Sequence, residues 1–483
     1  MKVSSPETYL ESLRRLERDV YVLGEQCANT VDHPLIRPSA NAVSESYNPG
    51  EEPEAEDLLF VTSHLTGKKI SRFTHIHQST DDLVDKVLMQ KMLGRRTATC
   101  FQRCVGMDGF NALYSVTYEC DQEHGTDYHR RLKDYLEWVQ EENVVVEGAM
   151  TDVKGDRSLR PGEQEDLDLF VRMVDQTPEG IIVRGAKAHQ TGALNSHEIL
   201  VMPTTAMREG EEQFAVSFAV PSDQKGITFV LGRQPSDTRK LEESPLDVGN
   251  PSYGSQEALV IFNDVFVPNE RIFMCGETDQ SGKVVERFAS FHRQSYGGCK
   301  VGVGDALIGA TQLAADYQGT ARASHVRDKI TEMIHLNETL FCCGIACSSL
   351  GRATAAGNFE VDPLLANICK LNVTRFPFEI ARLAQDIAGG LVVTMPSQKD
   401  FENPEIAPYL EKYLKGTDGV PTIDRIKVLK FIENMTVGCG AAAYLTESIH
   451  GAGSPQAQRI MISRLANLEE KVKLAKRLAH IED

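Results

Sequence analysis

The sequence predicts an α+β protein in three parts: a helical N-terminal domain over residues 1–145, a middle β domain over 146–275 and a C-terminal helical bundle over 276–483. Three textures predict it. In the first part "SPETYLESLRRLERDVYVLG", "STDDLVDKVLMQKMLGRR" and "HGTDYHRRLKDYLEWVQEEN" space their apolar residues at three and four, the period of a helix with one buried face. In the second, short β-branched runs ("EGIIVRGAKA", "HEILVMPT", "EQFAVSFAVPS", "GITFVLG", "EALVIFNDVFVP") are separated by Gly, Pro, Asp and Ser, as in a sheet or barrel. In the third, "GDALIGATQLAADYQG", "LLANICKLNVTRFPFEIARLAQDIAGG" and "FIENMTVGCGAAAYLTESIHG" restore helix in long pieces.

The first helix opens with Ser4 and Glu7 at the S-x-x-E spacing of a capping box, and Pro6 falls in the first turn, where its missing N–H costs nothing. The acidic stretch "PGEEPEAEDL" at 49–58 is expected to be a solvated loop. "GVGDALIG" near 302 continues a helical pattern and follows no strand, so it marks no dinucleotide site.

The chain of 483 residues, 41% hydrophobic and 25% charged, has the balance of a soluble globular protein. Its N-terminus has no apolar core of signal-peptide type, and no apolar run approaches the ~20 residues of a membrane span. A cytoplasmic protein without a membrane partner is expected. The formal charge of −18 argues against nucleic acid, which rewards a basic face, but permits an anionic small molecule held by a local basic cluster. Eleven cysteines, an odd number, point to reduced thiols.

Two segments offer residues for metal chemistry, although either pair taken alone reads as well as buried core packing. "TATCFQRCVGMDGF" places Cys100 and Cys104 at i, i+4, and "FHRQSYGGCK" places His292 and Cys299 at i, i+7; on helices each pair would share one face. Two such helices facing each other offer three thiolates and an imidazole, a donor set for Zn²⁺ or for an iron–sulfur cluster. Cys343 and Cys347 repeat the i, i+4 spacing among small apolar residues, which favours helix packing. Polar neighbours surround the first two pairs: Gln102, Arg103, Arg293, Gln294, Tyr296 and Lys300. His75 and His77 in "FTHIHQ" are read as polar contacts and left unassigned.

Taken together, "TATCFQRCVGMD" and "FHRQSYGGCK", with "ALVIFNDVFVPNERIF", "DIAGGLVVTMPSQKDFENPE" and "ESIHGAGSPQAQRI", resemble the 4-hydroxybutyryl-CoA dehydratases, which also isomerise vinylacetyl-CoA. Broader relatives are the flavin-dependent 4-hydroxyphenylacetate hydroxylases and, more remotely, the acyl-CoA dehydrogenases. The resemblance implies an acyl-CoA dehydrogenase-like fold with a middle β-barrel, FAD, a [4Fe-4S] cluster on Cys100, Cys104, His292 and Cys299, an acyl-CoA substrate and a homotetramer with FAD sites between subunits. "EGAMTDVKGDRS" resembles a flavin-contacting strand and loop, implying Met150 and Thr151; "GAKAHQTGALNSHE" resembles the next strand, implying Gln190 and Thr191. "QDIAGG" resembles a helix end that admits the FAD diphosphate, implying Gln385, Gly389 and Gly390; by itself it reads as a glycine helix stop.

Catalytic roles follow from the same resemblance. His292 is expected to act as ligand and base, Tyr296 as a proton donor or acceptor on the same helical face, and Glu257 and Glu447 in proton transfer or hydroxyl positioning. Lys300 and Gln102 are expected to orient flavin or substrate. The competing readings are a flavin monooxygenase on the same fold, which leaves the four ligands without use, a structural zinc protein without flavin, and a paralogue acting on another hydroxyacyl-CoA.

Overall fold

Strands from distant parts of the chain build a six-stranded sheet in the order Glu25–Gln26, Asp19–Val22, Ile227–Leu231, Glu257–Pro268, Gly180–Thr191, Arg172–Thr177. A four-stranded sheet runs Ile272–Cys275, Val216–Pro221, Glu198–Val201, Val146–Ala149. The computed structural model describes residues 2–50 and 52–481; Glu51, in the acidic stretch expected as a loop, lies outside the described residues. The rest of that stretch is not all loop, because Ala55–Leu59 form a short helix with Ala55 and Leu59 buried.

Among the described residues neither sheet closes on itself, so the expected middle barrel is replaced by two stacked open sheets. The reason lies in the four-stranded sheet, which is apolar on both faces. Ile199, Val201 and Phe218 pack against Val183, Phe229, Val260 and Phe262 of the six-stranded sheet. On the other face Leu200, Met202, Ala219 and Phe273 pack against Phe110, Leu113, Leu136 and Phe291 of the helices. With one face on the other sheet and one on helices, the four-stranded sheet buries both faces without joining its edges; alternation along a strand reveals two buried faces only when the neighbours are known.

The first helix, α1 (Pro6–Arg14), is capped by Ser5 and Thr8, not by Ser4 and Glu7: Ser5 Oγ accepts from the Thr8 N–H at 3.2 Å and Thr8 Oγ1 from the Ser5 N–H at 2.9 Å. Pro6 is its first residue. The helical stretch ends there, and the β-branched Asp19–Val22 joins the six-stranded sheet parallel to Ile227–Leu231.

Four further helices position the site: α2 (Thr80–Thr97), α3 (Cys104–His124), the 40-residue α4 (Thr278–Tyr317) and α5 (Ser324–Ser349). Ser79 starts α2 by accepting from the Asp82 N–H at 3.1 Å, and left-handed Ala98 ends it. Helix α4 lies backbone to backbone on α2 through Gly298 and Gly302, where a β-carbon would overlap the carbonyls of Val87 and Lys91. Cys299, between these glycines, is thereby held against α2. On α5, Cys347 is buried and Cys343 half-buried in helix packing, as their apolar surroundings predict. Among the described residues no helix is long and apolar enough to cross a membrane.

Gly298→Ala is expected to push α4 off α2 and cost about 1–3 kcal/mol by overpacking. Denaturant unfolding measures this; an unchanged midpoint would show that the glycine contact does not set the helix spacing.

Candidate active site

Cys100 and Cys104 do not share a helix as their spacing suggests. The chain leaves α2 at Ala98 and crosses an irregular link in which Gln102 is also left-handed, with φ 60°. Gln102 braces that link. Its Nε2 donates to the carbonyls of Cys100 (3.2 Å), Gly254 (3.3 Å) and Ser39 (3.4 Å), and its Oε1 accepts from Asn195 Nδ2 at 2.9 Å. Cys104 is the first residue of α3, where the helix dipole favours a thiolate, and it accepts from Gln90 Nε2 at 3.2 Å. Cys299 packs against the cluster that contains Cys104 and Phe101. His292 and Cys299 both lie on α4, as expected.

Burial pushes the Cys104 thiol well up, with Cys299 adding to the effect. Burial also raises Cys100, with Glu447 next in weight, and lifts Cys299 to about 11 against the pull of Lys300. Left to themselves the three thiols stay protonated; only a cationic guest reverses that. Among the described residues, the one trio of His, Cys, Asp and Glu ligand atoms within 4.8 Å of one another is the exposed Glu123, His124 and Asp279. The thiols and His292 therefore stand wider than a single tetrahedral Zn²⁺ gathers its ligands, about 3.8 Å apart for Zn–S bonds of about 2.3 Å.

His292 Nδ1 faces Asp108 Oδ2 at 2.8 Å, and its ring stacks on Phe288 at 5.6 Å and 11°. The Tyr296 ring meets it edge-on at 5.1 Å. Burial raises the Tyr296 phenol well above its ordinary range, helped by Cys299 and Glu447. Lys370 Nζ sits over the Tyr296 ring at 4.5 Å and Lys300 Nζ at 5.5 Å. Burial, with Lys300 and Arg293, lowers Lys370 to about 7, while its Nζ donates to the Ser448 carbonyl at 2.5 Å.

Lys300 reaches the Ala443 carbonyl and Glu447 Oε2, the latter at 3.5 Å. Glu447 in turn meets Glu257, whose carboxyl is driven well above the usual range by burial first and by Glu447 second. Thr191 Oγ1 donates to Glu257 Oε1 at 2.6 Å. Glu257 Oε2 and Glu447 Oε1 are buried and have no other protein hydrogen bond, as fits two carboxyls that share a proton.

Thr191 links this pair to the other expected flavin contacts. The Ala188 N–H donates to the Thr151 carbonyl at 2.8 Å, Gln190 Nε2 to the same oxygen at 3.3 Å, and Lys187 Nζ to the Met150 carbonyl at 2.9 Å. Met150, Thr151, Gln190 and Thr191 thus form one ledge beside the carboxyl pair. Gln385, Gly389 and Gly390 stand elsewhere, at the end of the Phe376–Ala388 helix, where both glycines are exposed with open space around them.

Models of the 4-hydroxyphenylacetate 3-hydroxylase N-terminal and C-terminal regions match residues 5–274 and 281–480. The chain belongs to this family. Within it, the chain is 57% identical to the 4-hydroxybutyryl-CoA dehydratase/vinylacetyl-CoA-Delta-isomerase of Clostridium aminobutyricum over 99% of both. It superposes on the oxygen-tolerant archaeal 4-hydroxybutyryl-CoA dehydratase of N. maritimus with a TM-score of 0.98 at 53% identity, covering 100% of this chain and 96% of that one. The oxygenase component of 4-hydroxyphenylacetate 3-monooxygenase complexed with FAD shares the fold at a TM-score of 0.84 and 22% identity, over 98% of each chain. Glutaryl-coenzyme A dehydrogenase shares it at 0.52 and 12%, over 95% and 94%, so the acyl-CoA dehydrogenase likeness holds at the level of fold.

Sequence reading missed Lys86, Asp108, Glu147 and Lys370. Asp108 lies one helical turn beyond Cys104, a signal that was present; Lys86 and Lys370 look like solvated charges in single helices, and only packing shows them buried. Glu147, in the Val146–Ala149 strand, is a buried carboxyl raised by desolvation alone.

Because Glu257 stays protonated above the 4.5 at which an unfolded glutamate ionises, its contribution to stability is full at low pH and is lost as pH rises past 4.5. Glu257→Gln removes that loss. The variant's melting temperature, measured from pH 5 to 8, is expected to gain on the parent as pH rises. A gap that stays flat with pH would show that Glu257 is ionised in the folded protein.

Proposed function

We propose that this protein converts 4-hydroxybutyryl-CoA to crotonyl-CoA and water, and vinylacetyl-CoA to crotonyl-CoA. The observation that carries the reading is 57% identity over 99% of both chains to the clostridial dehydratase/isomerase. The site's chemistry agrees with it. Cys100, Cys104 and Cys299 are buried thiols that need cations to ionise, and His292 completes a three-thiolate, one-imidazole donor set spread too widely for one zinc ion. These four would hold a [4Fe-4S] cluster. Met150, Thr151, Gln190 and Thr191 would hold the flavin ring beside it, with Gln385, Gly389 and Gly390 reaching the FAD diphosphate from a neighbouring subunit of a homotetramer. The exposed Gly389–Gly390 turn and nearby Val393, 85% exposed, support that assignment.

When bound, FAD would supply one-electron exchange with the substrate enolate, a radical route that acidifies the unactivated C3 proton, and the cluster a Lewis-acidic iron for the departing hydroxyl. The protein's own residues must move protons. Two leave the substrate, from C2 and from the unactivated C3; two return, one to the departing hydroxyl and one to C4. His292, oriented by Asp108, would take a proton at Nε2 only when that nitrogen is free of iron. Glu257 and Glu447, close enough to share a proton, can give and receive one without separating charge in a buried site. Lys300 steadies Glu447, Tyr296 places a phenol between His292 and the lysines, and Gln102 holds the Cys100 carbonyl and hence the ligand loop. Eleven free thiols support a reducing, cytoplasmic setting.

Protein purified without oxygen is expected to contain about four irons and one FAD per chain and to dehydrate 4-hydroxybutyryl-CoA. Cys104→Ala should lose the iron and the dehydration together. Flavin without iron, even after reconstitution with iron and sulfide, and no crotonyl-CoA formed, would favour a monooxygenase and overturn the reading.

A further inference from the structure

Lys86 is a lysine with no exposed surface, placed by α2 in the middle of three helices. Its Nζ donates to Asp108 Oδ1 at 2.5 Å on α3, and to Gln294 Oε1 at 2.9 Å and the Phe291 carbonyl at 3.0 Å on α4. Asp108 has no exposed surface either, and its other oxygen faces His292 Nδ1 at 2.8 Å and Ser295 Oγ at 3.1 Å. Gln294 is fixed in turn, its Nε2 donating to Ser348 Oγ at 2.7 Å and the Leu83 carbonyl at 2.9 Å.

We propose that Asp108, charge-balanced by Lys86, is the positioning residue that fixes His292 as an Nδ1–H imidazole and so reserves Nε2 for iron. The inference rests on His292 being a cluster ligand. An ammonium and a hydroxyl both donate to the Asp108 carboxylate, which has no proton to give, so Nδ1 must be the donor across the 2.8 Å contact. The proton on Nδ1 leaves the lone pair on Nε2, on the other side of the ring. A histidine that donates its second nitrogen to a carboxylate is a better ligand and a better-oriented one. Stacking on Phe288 and the edge of Tyr296 prevent the ring from turning over. The same bond keeps the imidazole in place if Nε2 leaves iron to take a proton, since the charge it gains then faces Asp108. Lys86 acts on Asp108 itself. Without the ammonium the carboxylate would be a lone, uncompensated charge in a dry helix interface.

Asp108→Asn and the double variant Lys86→Met/Asp108→Asn separate positioning from plain ion pairing, because the double variant leaves no unpaired charge. Parent and variants, purified without oxygen, are compared by iron content, by rate of iron loss to a chelator and by cluster reduction potential. Iron in the parent first establishes the ligand set. Both variants are then expected to lose iron about 10–100-fold faster and to show a higher potential, because His292 has lost an anionic partner. If the double variant recovers the parent's iron retention and potential, Asp108 serves only to pair Lys86 and the inference fails. If Asp108→Asn does not fold, the double variant alone decides by the same readings. A parent without iron would overturn the ligand reading and this inference with it.

Discussion

A buried charge holds three helices to one another. Lys86 on α2 and Asp108 on α3, both without exposed surface, meet over the Phe291 carbonyl and Gln294 of α4. Burial opposes the charge on Asp108, yet Lys86 and His292 keep its carboxyl below the ordinary range. Such a pair gains little over apolar packing, because taking two ions from water costs about what their attraction returns. What it supplies is a unique register. Each donor and acceptor is met only if α2, α3 and α4 stand in one arrangement, and that arrangement places Cys104, His292 and Cys299 on facing elements.

Around that clamp the polar groups divide into two sets. On the thiol side, burial and mutual repulsion keep Cys100, Cys104 and Cys299 neutral until something cationic arrives. On the ledge side, Glu257 is kept protonated and paired with Glu447, with Lys300 bridging toward the thiols. Tyr296 lies between the sets, under two lysines of which one, Lys370, is poised near neutrality by burial.

Much of this was legible in the sequence and some was not, for physical reasons. His292 and Cys299 could be placed on one helical face because a forty-residue helix keeps its period. Cys100 and Cys104 could not, since left-handed residues at Ala98 and Gln102 replace the helix by a loop that only the bracing of Gln102 explains. The β-branched runs gave the middle strands, but whether their ends join depends on what covers each face; helices cover the four-stranded sheet, so it stays open. The "DVYV" strand was lost inside a helical period because its partner, Ile227–Leu231, lies some two hundred residues on. Lys86 reads as an ordinary helix charge, and although Asp108 sits one turn beyond Cys104, the burial of both is a property of the packed set.

The central claim, that Cys100, Cys104, His292 and Cys299 enclose an iron–sulfur cluster beside the carboxyl pair, is tested most directly by anomalous diffraction on both sides of the iron absorption edge. Crystals grown without oxygen should show iron density bounded by the three thiols and His292 Nε2, with His292 Nδ1 still on Asp108. A single zinc-edge peak at these ligands, or iron absent from reconstituted protein, would contradict the account.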